Sequence, residues 1–144
     1  MTPDGYQVNR DGAWIVNEIV QIKNVNSANR NMRVSIQANG NNLIFELNDS
    51  QAAREFYNQL PLSVEVRNFG GIEKIFYPPK TLNISDAPAA NAEVGTLAYY
   101  APWGNIAIFY GRHGFSCGLY ELGRVVSGSE HIRNMSDSIE VSKE

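Results

Sequence analysis

The chain has 144 residues, a length typical of a single domain with one apolar core. Its hydrophobic share of 43% and charged share of 19% are those of an ordinary globular protein, which excludes a largely disordered chain. The formal net charge of -3 and the scattered Lys and Arg residues argue against a surface that follows nucleic-acid phosphates, so no nucleic-acid partner is expected.

The chain has a single cysteine and no long apolar run. Cys117 alone cannot form an internal disulfide or a cysteine-based zinc site, and we expect it to be a buried or idle thiol. No run approaches the ~20 apolar residues of a membrane-spanning helix, and the first residues lack a secretory signal pattern. The chain as given is expected to be cytoplasmic, the alternative being an exported or lipid-anchored precursor with a trimmed leader.

The first part of the chain, residues 1–31, is rich in Asn and turn-forming residues. It contains one apolar island, from Trp14 to Val25, whose spacing fits a helix and a strand equally well. An exposed Trp among Ile and Val residues would be costly to leave in water. We therefore predict an N-terminal extension over residues 1–31 that packs on the following domain through Trp14.

Regular alternation of apolar and polar residues begins at Met32 and predicts a mostly β domain over residues 32–142. Residues 32–38 and 43–47 alternate on either side of Asn39-Gly40, which is typical of a hairpin. A short helix begins at Asp49 or Ser50 and ends before Pro61. Further strands are predicted over residues 62–66, 72–77, 94–100, 105–110, 119–126 and 139–141, with a helical turn over residues 129–135.

The count is about eight short strands with one or two short helices. So many short strands with so few covering helices bury their apolar faces most simply by closing into a barrel. The predicted fold class is therefore mainly β, a closed eight-stranded barrel.

Four segments carry a resemblance to a known family. The longest two read GTLAYYAPWGNIAIFY over residues 95–110 and LGRVVSG over residues 122–128. AREFYNQLPL over residues 53–62 and GIEK over residues 71–74 precede them in the same order. Together they resemble the bacterial cyclophilin-like proteins of unassigned function, over about residues 32–142. The resemblance implies a closed eight-stranded barrel flanked by two short helices.

The LGRVVSG segment is also similar to the FGRVVSG segment of true cyclophilins, which are peptidyl-prolyl isomerases. That resemblance implies, for the enzymes, an Arg in a Phe-His-Arg pattern that donates a hydrogen bond to the twisting amide. Here the corresponding strand, residues 73–77, has no Arg, and the Gln that lines the enzymes' pocket corresponds to Ile106. No catalytic residue is assigned, and a non-catalytic role is favoured over an enzyme.

The first candidate ligand-binding residue is Glu73. It is adjacent to Lys74 on a predicted strand, so the two side chains leave opposite faces of the sheet. We expect Glu73 to face the barrel mouth or interior and to anchor a ligand there. A solvated charge at a strand edge is the alternative.

The other candidates are aromatic residues grouped around one predicted hairpin. They can line a pocket that offers both apolar surface and polar tips, although plain core packing is the alternative. A Trp in a tight turn is often partly exposed and can flank an opening. The candidate ligand-binding aromatics are Tyr99, Tyr100, Trp103 and Phe109.

No cofactor or metal is expected. His113 and His131 have no metal-ligand spacing with a carboxylate and are interpreted as surface histidines. No phosphate-binding glycine loop and no activated nucleophile can be recognised.

The sequence thus favours a non-catalytic module that binds a small molecule or a short peptide. One alternative is a weak prolyl isomerase whose donor is Lys74 or a Tyr hydroxyl, in place of Arg. Another is an accessory partner of a redox or flavodoxin-like protein.

Overall fold

A computed structural model describes residues 3–9, 11–14 and 32–144, the first two ranges by their backbone alone. The chain divides into two units, Met1–Asn31 and Met32–Glu144. In the first unit, strands β1 (Pro3–Asn9) and β2 (Asp11–Trp14) pair antiparallel. The contact predicted for the Trp14 side chain, and the rest of the apolar island, lie outside the described residues.

The second unit is a closed antiparallel barrel of eight strands, which confirms the predicted fold class. Neighbouring strands follow the order β10-β3-β4-β9-β7-β8-β6-β5, and β10 closes the ring by pairing with β5. The strands are β3 (Arg33–Ala38), β4 (Asn41–Leu47), β5 (Leu62–Phe69), β6 (Glu73–Phe76), β7 (Thr96–Tyr100), β8 (Asn105–Phe109), β9 (Leu119–Ser127) and β10 (Asp137–Lys143).

The first hairpin and the helix form where the sequence predicts them. Asn39 and Gly40 have φ of 52° and 79°, the left-handed values that a two-residue turn between β3 and β4 requires. Ser50 caps helix α1 (Gln51–Tyr57) by accepting a hydrogen bond from the Ala53 N–H at 3.2 Å. The predicted helical turn near the end of the chain is a short 3-10 helix, Ser129–His131. No helix in the described ranges is long and apolar enough to cross a membrane.

Two apolar clusters stabilise the barrel, one on each face of its wall. Alternate residues of all the strands fill the interior, together with the buried face of α1. A second, smaller cluster lies on the outer face of β6, β7, β8 and β9, where Ala90 and Ala92 of the loop of residues 80–93 pack against it. That cluster consists of Ile75, Ala90, Ala92, Ala98, Ala107, Phe109 and Leu119.

The two glycines of the LGRVVSG segment lie where β9 and its end approach β4 most closely. A Cβ atom on Gly123 would lie 2.3 Å from the Glu46 carbonyl oxygen, and one on Gly128 would lie 2.7 Å from the Asn42 carbonyl oxygen. Gly128 also has a φ of 90°. These glycines are therefore required by barrel closure, because a side chain at either position would collide with backbone.

Candidate functional site

A pocket of about 160 Å³ lies on the outer face of the barrel wall. Four aromatic residues line it: Phe69 at the end of β5, Tyr100 at the end of β7, Trp103 in the β7–β8 turn, and Phe109 at the end of β8. Phe109 is 1% exposed and belongs to the outer-face cluster, whereas Trp103 is 51% exposed. The pocket thus has a buried aromatic residue beneath an exposed aromatic rim.

The rim is ordered by contacts between rings. The ring centroids of Phe69 and Trp103 are 5.2 Å apart with planes at 83°, and those of Tyr100 and Trp103 are 5.6 Å apart with planes at 75°. Both are edge-to-face arrangements, which the ring quadrupole favours. The Gly104 N–H donates to the Tyr100 carbonyl at 2.8 Å and closes the turn that carries Trp103. The exposed Trp is therefore held by two neighbouring rings and by its own turn.

Glu73 is the acidic group of the pocket. In the β6–β8 pairing it lies directly opposite Phe109, so both side chains leave the same, outer face. Burial raises the pKa of this half-buried carboxyl above its ordinary value, and the nearby His113 acts in the opposite direction. The His113 ring lies 5.4 Å from the Phe109 ring and also lines the pocket.

Asn105 supplies a second polar group to the wall. Its side chain is 2% exposed and its Oδ1 atom has no hydrogen-bond partner among the described residues. Its Nδ2 atom donates weakly, at 3.5 Å, to the Ile106 carbonyl. A buried polar atom without a partner costs stability, so such an atom in the wall of a pocket is a reason to suspect a ligand.

The prediction that Glu73 faces the barrel mouth or interior is wrong, because its side chain leaves the outer face of the wall. Its neighbour Lys74 lies opposite Ile108 on the inner face and is 5% exposed, with Nζ 5.7 Å from the centre of the Tyr110 ring. Lys74 therefore lies on the other side of the barrel wall from the pocket. Its ammonium group is not placed to serve as the alternative donor for a prolyl isomerase at this site.

Tyr99 does not join the other predicted aromatics. It is 2% exposed and lies in the interior core cluster. Its hydroxyl accepts a hydrogen bond from the Leu82 N–H at 3.1 Å and so fixes the loop of residues 80–93. For Tyr99 the core-packing alternative is the one the structure supports. Tyr100, Trp103, Phe109 and Glu73 are brought together.

Ile106 is not a pocket residue either. It is fully buried in the interior cluster, and the residue that faces outward beside it is Asn105. A polar amide, that of Asn105, is nevertheless present in this wall.

Several lining residues were not recognised from the sequence. Phe69, Asn105, Ser116 and Leu119 were not proposed, and His113 was interpreted as a surface histidine. His113 is indeed exposed, but it lies at the edge of the pocket.

His131 lies 3.4 Å from Glu130, and Cys117 is exposed rather than buried. In the described part of the chain no three His, Cys, Asp or Glu residues are grouped as metal ligands would be.

Lys74 gives a prediction on pH and stability. Burial, and secondarily Arg133, lower the pKa of Lys74 from its ordinary 10.5. Between the lowered and the ordinary value the unfolded chain binds more protons than the folded chain, so the Lys74 contribution to the free energy of unfolding increases with pH. Urea unfolding measured as the pH is raised toward this ordinary value is expected to show the increase in the wild type relative to Lys74→Met. Parallel profiles of the two proteins would contradict it.

Comparisons with known proteins agree with this fold. A family model described as the cyclophilin-like family matches residues 36–144. The solution structure of the hypothetical protein AF2241 from Archaeoglobus fulgidus superposes with a TM-score of 0.64 and 19% identity, over 80% of this chain and 96% of that one. The structure of McbB in complex with tryptophan superposes with a TM-score of 0.56 and 12% identity, over 77% of this chain and 44% of McbB.

The chain thus spans less than half of McbB, and both likenesses concern the fold. No curated protein matches significantly in sequence. The family match covers more than half of the chain, and the closed eight-stranded barrel is the architecture that the resemblance to this family implies. The chain belongs to the cyclophilin-like family.

Proposed function

We propose that this barrel is a non-catalytic binding module, whose outer-face pocket takes one compact group of a small molecule or a short peptide. The observation that carries the proposal is the pocket itself: an aromatic rim, a buried aromatic residue and a half-buried carboxyl around one concave space. Ligand sites are commonly concave, mostly apolar, and equipped with a few convergent polar groups. The arrangement fits that description.

The size of the pocket limits what enters it. Its volume of about 160 Å³ is similar to that of an engineered protein cavity that holds benzene, which is about 150 Å³. Drug-sized ligands occupy pockets of about 300–1,000 Å³. A single side chain or an equally small group therefore fits, while the rest of a larger ligand would lie on the exposed rim.

The walls favour binding over the chemistry of true cyclophilins. No Arg or Lys is among the described side chains that line the pocket. A guanidinium aimed at the twisting amide is the group by which those isomerases lower the barrier, and here neither it nor Lys74 reaches the pocket. The pocket retains apolar walls and hydrogen-bonding groups, which suffice for recognition.

A ligand titration followed by ¹H–¹⁵N NMR tests this proposal. L-tryptophan, the molecule held by McbB, and a set of N-acetyl amino-acid amides are suitable probes. We expect at least one to shift the amide signals of residues 69, 73, 103 and 109 with a Kd of about 1 mM, as is usual for one small group. The same probe is expected to bind Trp103→Ala about 10-fold more weakly, because the substitution removes the ring that contacts both Phe69 and Tyr100.

Tyr77→Ala is the matched control. Tyr77 is an aromatic residue of similar exposure, 52%, and does not line the pocket. Its replacement is expected to leave the affinity unchanged. The proposal would be abandoned if no probe shifted the pocket signals, or if Trp103→Ala and Tyr77→Ala weakened binding equally.

A further inference from the structure

Two polar groups of the pocket wall are hydrogen-bond acceptors, and they indicate what kind of ligand the pocket takes. Glu73 offers carboxylate oxygens, and Asn105 offers an Oδ1 atom with no partner among the described residues. The Asn105 orientation is supported because its Nδ2 atom is turned to the Ile106 carbonyl, which can only accept. Both are hydrogen-bond acceptors, and this favours a ligand that donates hydrogen bonds.

Three of the positive charges near this part of the barrel are directed elsewhere, and Arg67, which leaves the outer face of β5 opposite Ile75, does not line the pocket. Arg124 pairs with Glu93, and Arg112 lies 3.9 Å from the same carboxylate. Lys74 lies on the opposite face of the wall. Among the described residues, the titratable acid and base groups of the pocket are therefore Glu73 on β6 and His113 after β8. An ionised Glu73 gives the pocket a negative charge, which would repel an anionic ligand.

The aromatic rim adds to the preference for positive charge. Trp103 meets Phe69 and Tyr100 at steep angles, so neither pair forms a parallel slot for a flat ring. The rings instead border a corner suited to a compact group. The faces of Trp, Tyr and Phe rings attract cations, most strongly when water is excluded. An ammonium group in this pocket would therefore be stabilised both by the carboxylate and by the aromatic rings.

We infer that the pocket binds a primary ammonium group at the end of an alkyl chain, such as a lysine side chain or an aliphatic amine. The ammonium donates hydrogen bonds to the Glu73 carboxylate, while its alkyl stem lies against the aromatic rim. This inference rests on the proposed binding function and names its ligand class. Ammonium binding also compensates the burial of the Glu73 carboxylate, whose pKa burial otherwise raises.

The test compares three N-acetylated methylamides that differ in side-chain charge: lysine, norleucine and glutamate. At pH 8 we expect the lysine compound to bind about 10-fold more tightly than the norleucine compound, and the glutamate compound not to bind, because a hydrogen-bonded charge is worth about one decade. The affinity of the lysine compound is expected to fall on acidification, as the Glu73 carboxylate, whose pKa is raised by burial, gains a proton.

Glu73→Gln keeps the size of the side chain and removes its charge. It is expected to cost the lysine compound about 10-fold in affinity and the norleucine compound nothing. Glu65→Gln on the exposed side of β5 is the control and is expected to change neither. The ¹H–¹⁵N spectrum of each variant reports whether the barrel is folded, and Glu73→Asp, which retains the charge, supplies a second variant if Glu73→Gln is unstable.

The outcomes separate the two proposals. Equal affinity for lysine and norleucine compounds would overturn the ammonium inference while keeping the binding function. Lysine binding that survives Glu73→Gln unchanged would place the cation elsewhere and overturn it as well. If none of these compounds, nor tryptophan, shifted the pocket signals, both proposals would fail.

Discussion

Gly123→Ala is expected to lower the free energy of unfolding by about 3 kcal/mol, near the upper end for overpacked interiors. The added Cβ atom would lie 2.3 Å from the Glu46 carbonyl oxygen and 3.0 Å from the Leu47 Cα atom. Both are backbone atoms of β4, so no side-chain rotation relieves the contact. Because β9 lies between β4 and β7, a shift of β9 that relieves the contact would disturb its pairing with both strands. Urea unfolding followed by circular dichroism measures the loss.

Gly40→Ala is the comparison for this prediction. A Cβ atom on Gly40 would meet no atom within 4 Å, but its φ is 79°, so its cost comes from backbone conformation and is expected to be about 1 kcal/mol. Gly123 has an ordinary φ, and without the contact with β4 an alanine there would be neutral or slightly stabilising. A Gly123→Ala protein as stable as the wild type would therefore show that β4 and β9 lie further apart.

Phe109→Ala is expected to destabilise the barrel by about 3 kcal/mol or more and to abolish ligand binding in the pocket. Phe109 is 1% exposed, and its removal leaves a cavity in the outer-face cluster that the strands cannot close. The same ring lines the pocket opposite Glu73, so stability and binding depend on one side chain. Thermal or urea unfolding measures the first effect, and NMR titration at a temperature where the variant is folded measures the second.

Phe115→Ala is the matched control for Phe109. Phe115 is 69% exposed, so its truncation is expected to change the free energy of unfolding by less than about 0.5 kcal/mol. A loss below about 1 kcal/mol for Phe109→Ala would mean that the outer face is loosely packed, since full burial of a Phe is normally worth several times more.

The elements of the barrel could be predicted because each has a local cause. Alternation marks the strands, Asn39-Gly40 supplies the left-handed turn, and Ser50 supplies a helix cap. Closure of the ring, which alternation alone leaves open, was indicated both by the number of short strands and by the family resemblance. The glycines of the LGRVVSG segment mark structural contacts, so that segment reports the fold and carries no information on catalysis.

The sequence does not determine equally well whether each candidate side chain lies on the inner or the outer face of the barrel wall. Glu73 and Lys74 are adjacent, so pairing with β8 shifted by one residue would exchange them between the pocket and the core. Asn105 and Ile106 are a second such pair, in which Asn105 lines the pocket and Ile106 lies in the core. Phe69, His113 and Ser116 join the pocket through tertiary contacts between distant segments, and nothing in their local sequence indicates this.

The closed ring has a consequence for how a peptide is recognised. Peptides often bind by adding a strand to a free sheet edge, where the main chain supplies the hydrogen bonds. Within residues 32–144 each of the eight strands already has a neighbour on both sides, so the barrel has no such edge. If a peptide binds this barrel, it is expected to do so through a side chain inserted into the pocket, and its affinity should depend on that residue far more than on an extended conformation.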